Sequence, residues 1–155
     1  MKIYLDVCCL NRPFDDQTQD RIRLESEAVL TILSRCQRRE WQLVGSEVIE
    51  FEISKIPDRE RRQKVSILAG LVGLKVLIDE GIRRRAAELQ NLGFKPFDAL
   101  HISSAEKGNT DVFLTTDDNL LQKASQKDII IKVKIVNPLK WLTEVVESEK
   151  QDNEP

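Results

Sequence analysis

Apolar residues occur in short runs separated by longer amphipathic stretches, and this alternation sets the reading of the chain. Ile3-Tyr4-Leu5, between Lys2 and Asp6, is a continuous apolar run of the kind found in a strand buried on both faces. Asn11, Pro13, Asp15 and Asp16 mark the loop that follows. From about Asp20 to Arg39, Ile22, Val29, Leu30, Ile32 and Leu33 recur at helical spacing. Gln42 to Gly45 reads as a second strand, and Ser46 is placed to cap a helix over 47–56. Ile49 stands where a capping box needs Glu or Gln, and the helix stops before Pro57.

The charged residues 58–70 predict another helix, Leu74 to Ile78 a third strand, and Glu80 to Leu92 a helix stopped by Gly93. Pro96 opens a helix over 97–107 that Gly108 closes. Val112 to Thr115 and Ile131 to Val136 are the last strands, with a helix over 118–126 between them. Pro138 opens a final helix ending near Val146, and the polar residues 147–155 read as a disordered tail. Strands alternating with helices predict an α/β fold with a parallel sheet covered on both faces. Residues 1–146 form one domain on this reading, with no internal repeat, low-complexity segment or linker.

Composition narrows the class. Of 155 residues, 41% are hydrophobic and 32% charged, which fits a globular domain rather than a disordered chain. The net charge of −2 argues against a general basic coat for nucleic acid, but leaves room for a local basic groove. Three cysteines, Cys8, Cys9 and Cys36, with no Cys-x-x-Cys spacing, argue against a disulfide scaffold or a zinc knuckle and for reduced thiols. No signal peptide is visible at the start. The longest apolar stretch, Val65 to Ile78, is interrupted by Ser66, Gly70, Gly73 and Lys75, short of the roughly 20 residues a membrane span needs. A cytoplasmic location and no membrane partner are expected.

Four acids sit where apolar runs end: Asp6, Glu52, Asp98 and Asp117. In an open parallel sheet, ligands bind beyond the carboxyl ends of the strands, at the point where strand order reverses. Asp6 and Asp117 each close a predicted strand. Carboxylates gathered there repel one another unless a hard divalent cation holds them, which points to Mg2+ or Mn2+ and phosphate chemistry. Each acid also has a plain structural reading. Asp6 ends a strand. Glu52 has Glu47 and Glu50 as rivals on its helix, although its place beside Val48 and Ile49 lets it point inward. Asp98 suits a helix N-terminus, and Asp117 suits a cap, with Thr116 and Asp118 as competitors. Capping alone does not account for all four.

These residues resemble the motifs of the PIN-domain family of metal-dependent nucleases, which includes the VapC-type toxins, over about residues 2–145. The motifs are Tyr4-Leu5-Asp6, the Ser46 to Glu52 segment, Asp98-Ala99-Leu100-His101-Ile102, and Leu114-Thr115-Thr116-Asp117. The third and fourth, about twenty residues apart, are the most specific. The resemblance implies a three-layer α/β/α sandwich with strand order 3-2-1-4-5. It also implies a metal-dependent endoribonuclease whose catalytic and metal-holding residues are Asp6, Glu52, Asp98 and Asp117. An RNA substrate, a cognate antitoxin protein lying across the acidic groove, and a homodimer are implied as well. One departure stands out: many members carry Thr and Asn within two residues of the first Asp, where this chain has Val7 and Cys8. Asn11, Thr115 and Thr116 are the candidates to substitute. The departure supports an alternative, a degenerate PIN domain that binds RNA or a protein without cutting.

Other residues are less informative. His101, the only histidine, titrates near neutral pH and could act as a base, but one turn past Asp98 it reads as packed beside the site. A lone histidine excludes a histidine-pair ribonuclease. Cys8 and Cys9 read as packing, not as a nucleophile. Arg59, Arg61, Arg62 and Lys64 form one basic group and Arg83, Arg84 and Arg85 another. Glu60 and Glu88 can pair with them, so they read as solvated helix faces, and no aromatic residue interleaves them as a base-stacking platform. An aspartate-based phosphatase is disfavoured, since such enzymes typically need a second Asp two residues after the first and a lysine on a late strand, and position 8 holds Cys8.

Overall fold

A computed structural model describes residues 1–153. Five strands, β1 (Lys2–Leu5), β2 (Gln42–Ser46), β3 (Leu74–Val76), β4 (Val112–Leu114) and β5 (Lys134–Val136), form one parallel sheet in the order β3-β2-β1-β4-β5. The expected strand order is thus the one observed. Central strands are the apolar ones because both of their faces are covered: Ile3, Tyr4 and Leu5 of β1 and Val112, Phe113 and Leu114 of β4 are all buried. Tyr4 and Phe113 are register partners, and their rings stack at 5.1 Å.

The helices are α1 (Val7–Asn11), α2 (Asp20–Gln37), α3 (Glu47–Ser54), α4 (Arg59–Ala69), α5 (Glu80–Asn91), α6 (Pro96–Lys107), α7 (Asp118–Gln126) and α8 (Pro138–Asp152). Helices α2 and α8 pack together, and α6 packs against both α3 and α5. Ser46 caps α3 by accepting the Ile49 N–H, and Asp58 caps α4 through Glu60 N–H and Arg61 N–H. Among the described residues, no helix is long and apolar enough to cross a membrane.

Two expectations are corrected. The stretch after Asp6 is not simply loop: α1 and a 3₁₀ turn at Arg12–Phe14 occupy it. Asp6 starts α1, its carboxylate accepting the Val7 N–H and its carbonyl the Cys9 N–H. The polar tail expected to be disordered is helical as far as Asp152; Glu154 and Pro155 lie outside the described residues. Arg35 explains the extension. It reaches Glu149 with two hydrogen bonds, of 2.6 and 3.2 Å, and lies over the Trp41 ring at 3.8 Å, while Trp41 packs edge-on against Trp141 of α8. Smaller differences are at the ends: β3 stops at Val76, and β5 begins only at Lys134.

Sheet order sets the position of the site. The chain runs from β1 outward to β2 and β3, then returns to the other side of β1 for β4 and β5. The reversal lies between β1 and β4; β1 leads directly into Asp6, and β4 leads through Thr115 and Thr116 to Asp117.

Candidate metal centre

Asp6 follows β1, buried, with its N–H donated to Leu114 carbonyl of β4. Its Oδ1 accepts the Val7 N–H at 2.8 Å, and its Oδ2 accepts the Thr115 hydroxyl at 2.8 Å. Thr115, also buried, takes the Asp117 N–H at 3.1 Å. The Cys8 thiol lies 3.3 Å from Thr115 Oγ1 and accepts the Thr116 N–H at 3.4 Å. Since the Thr115 proton goes to Asp6, Cys8 is the donor to Thr115. Thus Thr115, one of the three candidates to compensate for Val7 and Cys8, is the one that contacts Asp6. Asn11 instead donates to the Val7 carbonyl and accepts from Arg61.

Glu52, half-buried on α3, meets His101 of α6: Glu52 Oε1 is 2.6 Å from His101 Nε2. That nitrogen is 3.9 Å from Asp6 Oδ1, and one ligand atom from each of Asp6, Glu52 and His101 lies within 4.8 Å of the others. Pro96 and Lys95 open α6, which places Asp98 in its first turn, half-buried. Burial, then the charges of Asp6 and Asp117, push the Asp98 carboxyl from 3.8 up to about 6, against the pull of His101 and Lys95. Asp117 caps α7, its Oδ1 accepting Asn119 N–H and Leu120 N–H at 2.9 and 3.2 Å. The capping reading therefore holds for one of its oxygens, while its charge still reaches Asp98. Rivals of these acids are engaged elsewhere: Asp118 pairs with Arg21, Glu50 with Lys75, and Glu47 accepts the Ile78 N–H.

His101 is closer to the centre than its sequence position suggests. Burial opposes its charge, but the hydrogen bond to Glu52 and the charges of Asp6, Glu52 and Asp98 outweigh that and raise its pKa. Cys9 donates to the Leu114 carbonyl, and burial pushes its thiol well up, so it is no nucleophile. Next to Glu52 and Asp98, the exposed rings of Phe51 and Phe97 stack on each other at 5.8 Å, with Lys55 Nζ 5.1 Å from the Phe51 centroid. The pair is carried by α3 and α6, the helices that also carry Glu52 and Asp98. An open groove of about 1030 Å³ borders the other side of α3, with Ile49, Ile53, Ile67, Val72 and Leu74 among its lining and Arg62 and Lys75 at its edge.

Asp6 and Asp117 lie close enough to Asp98 to oppose its ionisation, and such oxygen donors suit a hard divalent cation. The chain belongs to the PIN-domain family: the family profile, described as PIN domain, matches residues 3–126. No curated protein matches its sequence. Among solved structures, it is similar to VapBC2 from Rickettsia felis bound to a DNA fragment from their promoter, at 14% identity and a TM-score of 0.58. That alignment covers 88% of this chain and 98% of the other.

Proposed function

We propose that the protein is a metal-dependent endoribonuclease, the toxin of a toxin–antitoxin pair, acting in the cytoplasm. The observation that carries this reading is the half-buried carboxyl of Asp98, which feels the charges of Asp6 and Asp117 beside it and is pushed up to about 6 by burial and by those two acids. Asp6, Glu52, Asp98 and Asp117 would hold Mg2+ or Mn2+ there. When bound, such a cation lowers the pKa of water and neutralises the charge that builds on a phosphate under attack. Thr115 fixes the Asp6 carboxylate from β4, and Asp117 keeps one oxygen free of its helix cap among the described residues. No covalent nucleophile is required.

The Phe51–Phe97 pair supports a single-stranded or looped RNA over a duplex. Exposed rings on the two helices that carry Glu52 and Asp98 would give an unpaired base a face to stack on. The antitoxin and homodimer rest on the family and on the neighbouring VapBC2 assembly. The apolar groove along α3 and α4 offers an antitoxin segment a seat.

Cys8 supports a second reading, a domain that binds RNA or a protein without cutting, since a thiol replaces a usual polar group near Asp6. Cleavage of a mixed pool of structured RNAs in Mg2+, Mn2+ or chelator, wild type against Asp98→Asn, separates the two. Metal-dependent cutting by wild type alone supports the nuclease. A folded wild type that neither binds metal nor cuts supports the binding module.

A further inference from the structure

A line of buried polar groups runs from the cap of α3 to the metal centre. Ser46 Oγ accepts the Ile49 N–H at 3.2 Å; its other partner among the described residues is Tyr4 Oη, at 2.7 Å. Tyr4 Oη in turn lies 2.6 Å from His101 Nδ1, and His101 Nε2 lies 2.6 Å from Glu52 Oε1. Ser46, Tyr4 and His101 are buried, the last two completely.

Each hydroxyl has one proton to give. If Tyr4 donated to Ser46, the Ser46 proton would be buried with nothing to receive it, a costly state. The direction that satisfies every group is Ser46 to Tyr4, and Tyr4 to Nδ1. A neutral imidazole has one ring proton, so a ring that accepts at Nδ1 carries it on Nε2. The charged ring carries a proton on Nε2 as well. The state left out is the one a cation would need, with Nε2 bare.

Resting on the metal-centre reading above, we infer that His101 is not a ligand of the cation but the residue that positions Glu52. Its Nε2–H holds Oε1 and leaves Oε2 for the metal, and Ser46 and Tyr4 fix the plane of the ring. The need is electrostatic. Glu52 stands near Asp6, and without a fixed donor the like charges would turn its flexible side chain away. Asp6, Glu52 and His101 therefore do not form a three-ligand set, although their atoms are close enough for one.

His101 is the only histidine, so the imidazole nitrogen spectrum of the 15N-labelled full chain reports this residue alone. The expected result is a protonated Nε2 both without and with Mg2+, and Tyr4→Phe should move chiefly the Nδ1 resonance. A proton on Nδ1 with a bare Nε2, in either condition, overturns the inference. Mn2+ titration gives a second readout. His101→Leu should weaken binding by about 10-fold or more, as for lost partners of metal ligands. His101→Gln, which keeps a side-chain N–H, should recover most of that affinity. Equal loss in both, with thermal melts showing both folded, also overturns it. Neither readout requires RNA cleavage. A wild type that binds Mn2+ but cuts nothing sinks the nuclease and leaves the positioning role standing, whereas the nitrogen spectrum decides the donor even if metal binding fails.

Discussion

Thr115 donates its hydroxyl to Asp6 across 2.8 Å, so the residue after β4 orients the carboxylate at the end of β1. The same oxygen receives the Asp117 N–H, which ties two acids of the centre to one side chain. Thr115→Val keeps the volume but takes a hydrogen-bond partner from the Asp6 carboxylate, the Asp117 N–H and the Cys8 thiol, at a cost of about 1–3 kcal/mol for each buried group left unpaired. Mn2+ titration and melting curves should show weaker metal binding and lower stability. Thr115→Ser should behave nearly as wild type, and a wild-type metal affinity in Thr115→Val would remove the orienting role.

Asp98 couples the centre to pH. Its carboxyl titrates at about 6 in the fold, above its ordinary 3.8. A carboxyl with a raised pKa destabilises the fold when ionised. The penalty is present above about pH 6 and disappears as pH falls through that value toward 3.8. In chelator, Asp98→Asn should therefore melt higher than wild type above pH 6, with the gap closing at lower pH. Mg2+ should raise the wild-type melting temperature and do so less for the variant. A gap that widens on acidification would contradict this.

On the nuclease reading, Phe51 and Phe97 allow substrate binding to be tested apart from metal binding. Base-on-aromatic stacking contributes about 1–3 kcal/mol, roughly tenfold or more in affinity. Phe51→Ala and Phe97→Ala should raise KM for a single-stranded RNA by that order, with unchanged Mn2+ affinity. A fall in kcat alone would place the rings outside the substrate path.

Arg35 holds the last turns of α8. Arg35→Ala removes its contacts with Glu149 and the Trp41 ring together, so it should lower the melting temperature more than Glu149→Ala. Salt should shrink the Glu149→Ala effect, since that carboxylate is exposed. Equal effects would mean that the ring contact contributes nothing.

Much of the layout was legible in the sequence. Asp6 and Asp117 stand where apolar runs end, and those runs become β1 and β4, adjacent in the sheet. Less legible were features whose cause lies far along the chain. His101 sits on a helix buried nearly all round, so periodicity gave it no direction; its partners are Tyr4 and Glu52, 97 and 49 residues away. Helix α1 spans five residues, too few for a period, and its signal is the acid that caps it. Phe51 and Phe97 are far apart in sequence and meet only through the contact of α3 with α6. The end of α8 is polar, and Arg35, 114 residues earlier, is what makes it fold.

The place of β4 beside β1 bears on the order in which the protein is made. Asp6 leaves the ribosome first, yet Thr115, which orients it, arrives more than a hundred residues later. Pairing of β1 with β4 closes one of the longest loops in the chain, a step that comes late in folding. A nascent chain lacking β4 holds its first acid without the residue that aims it. On the nuclease reading, a chain still short of β4 is one whose centre is not yet assembled.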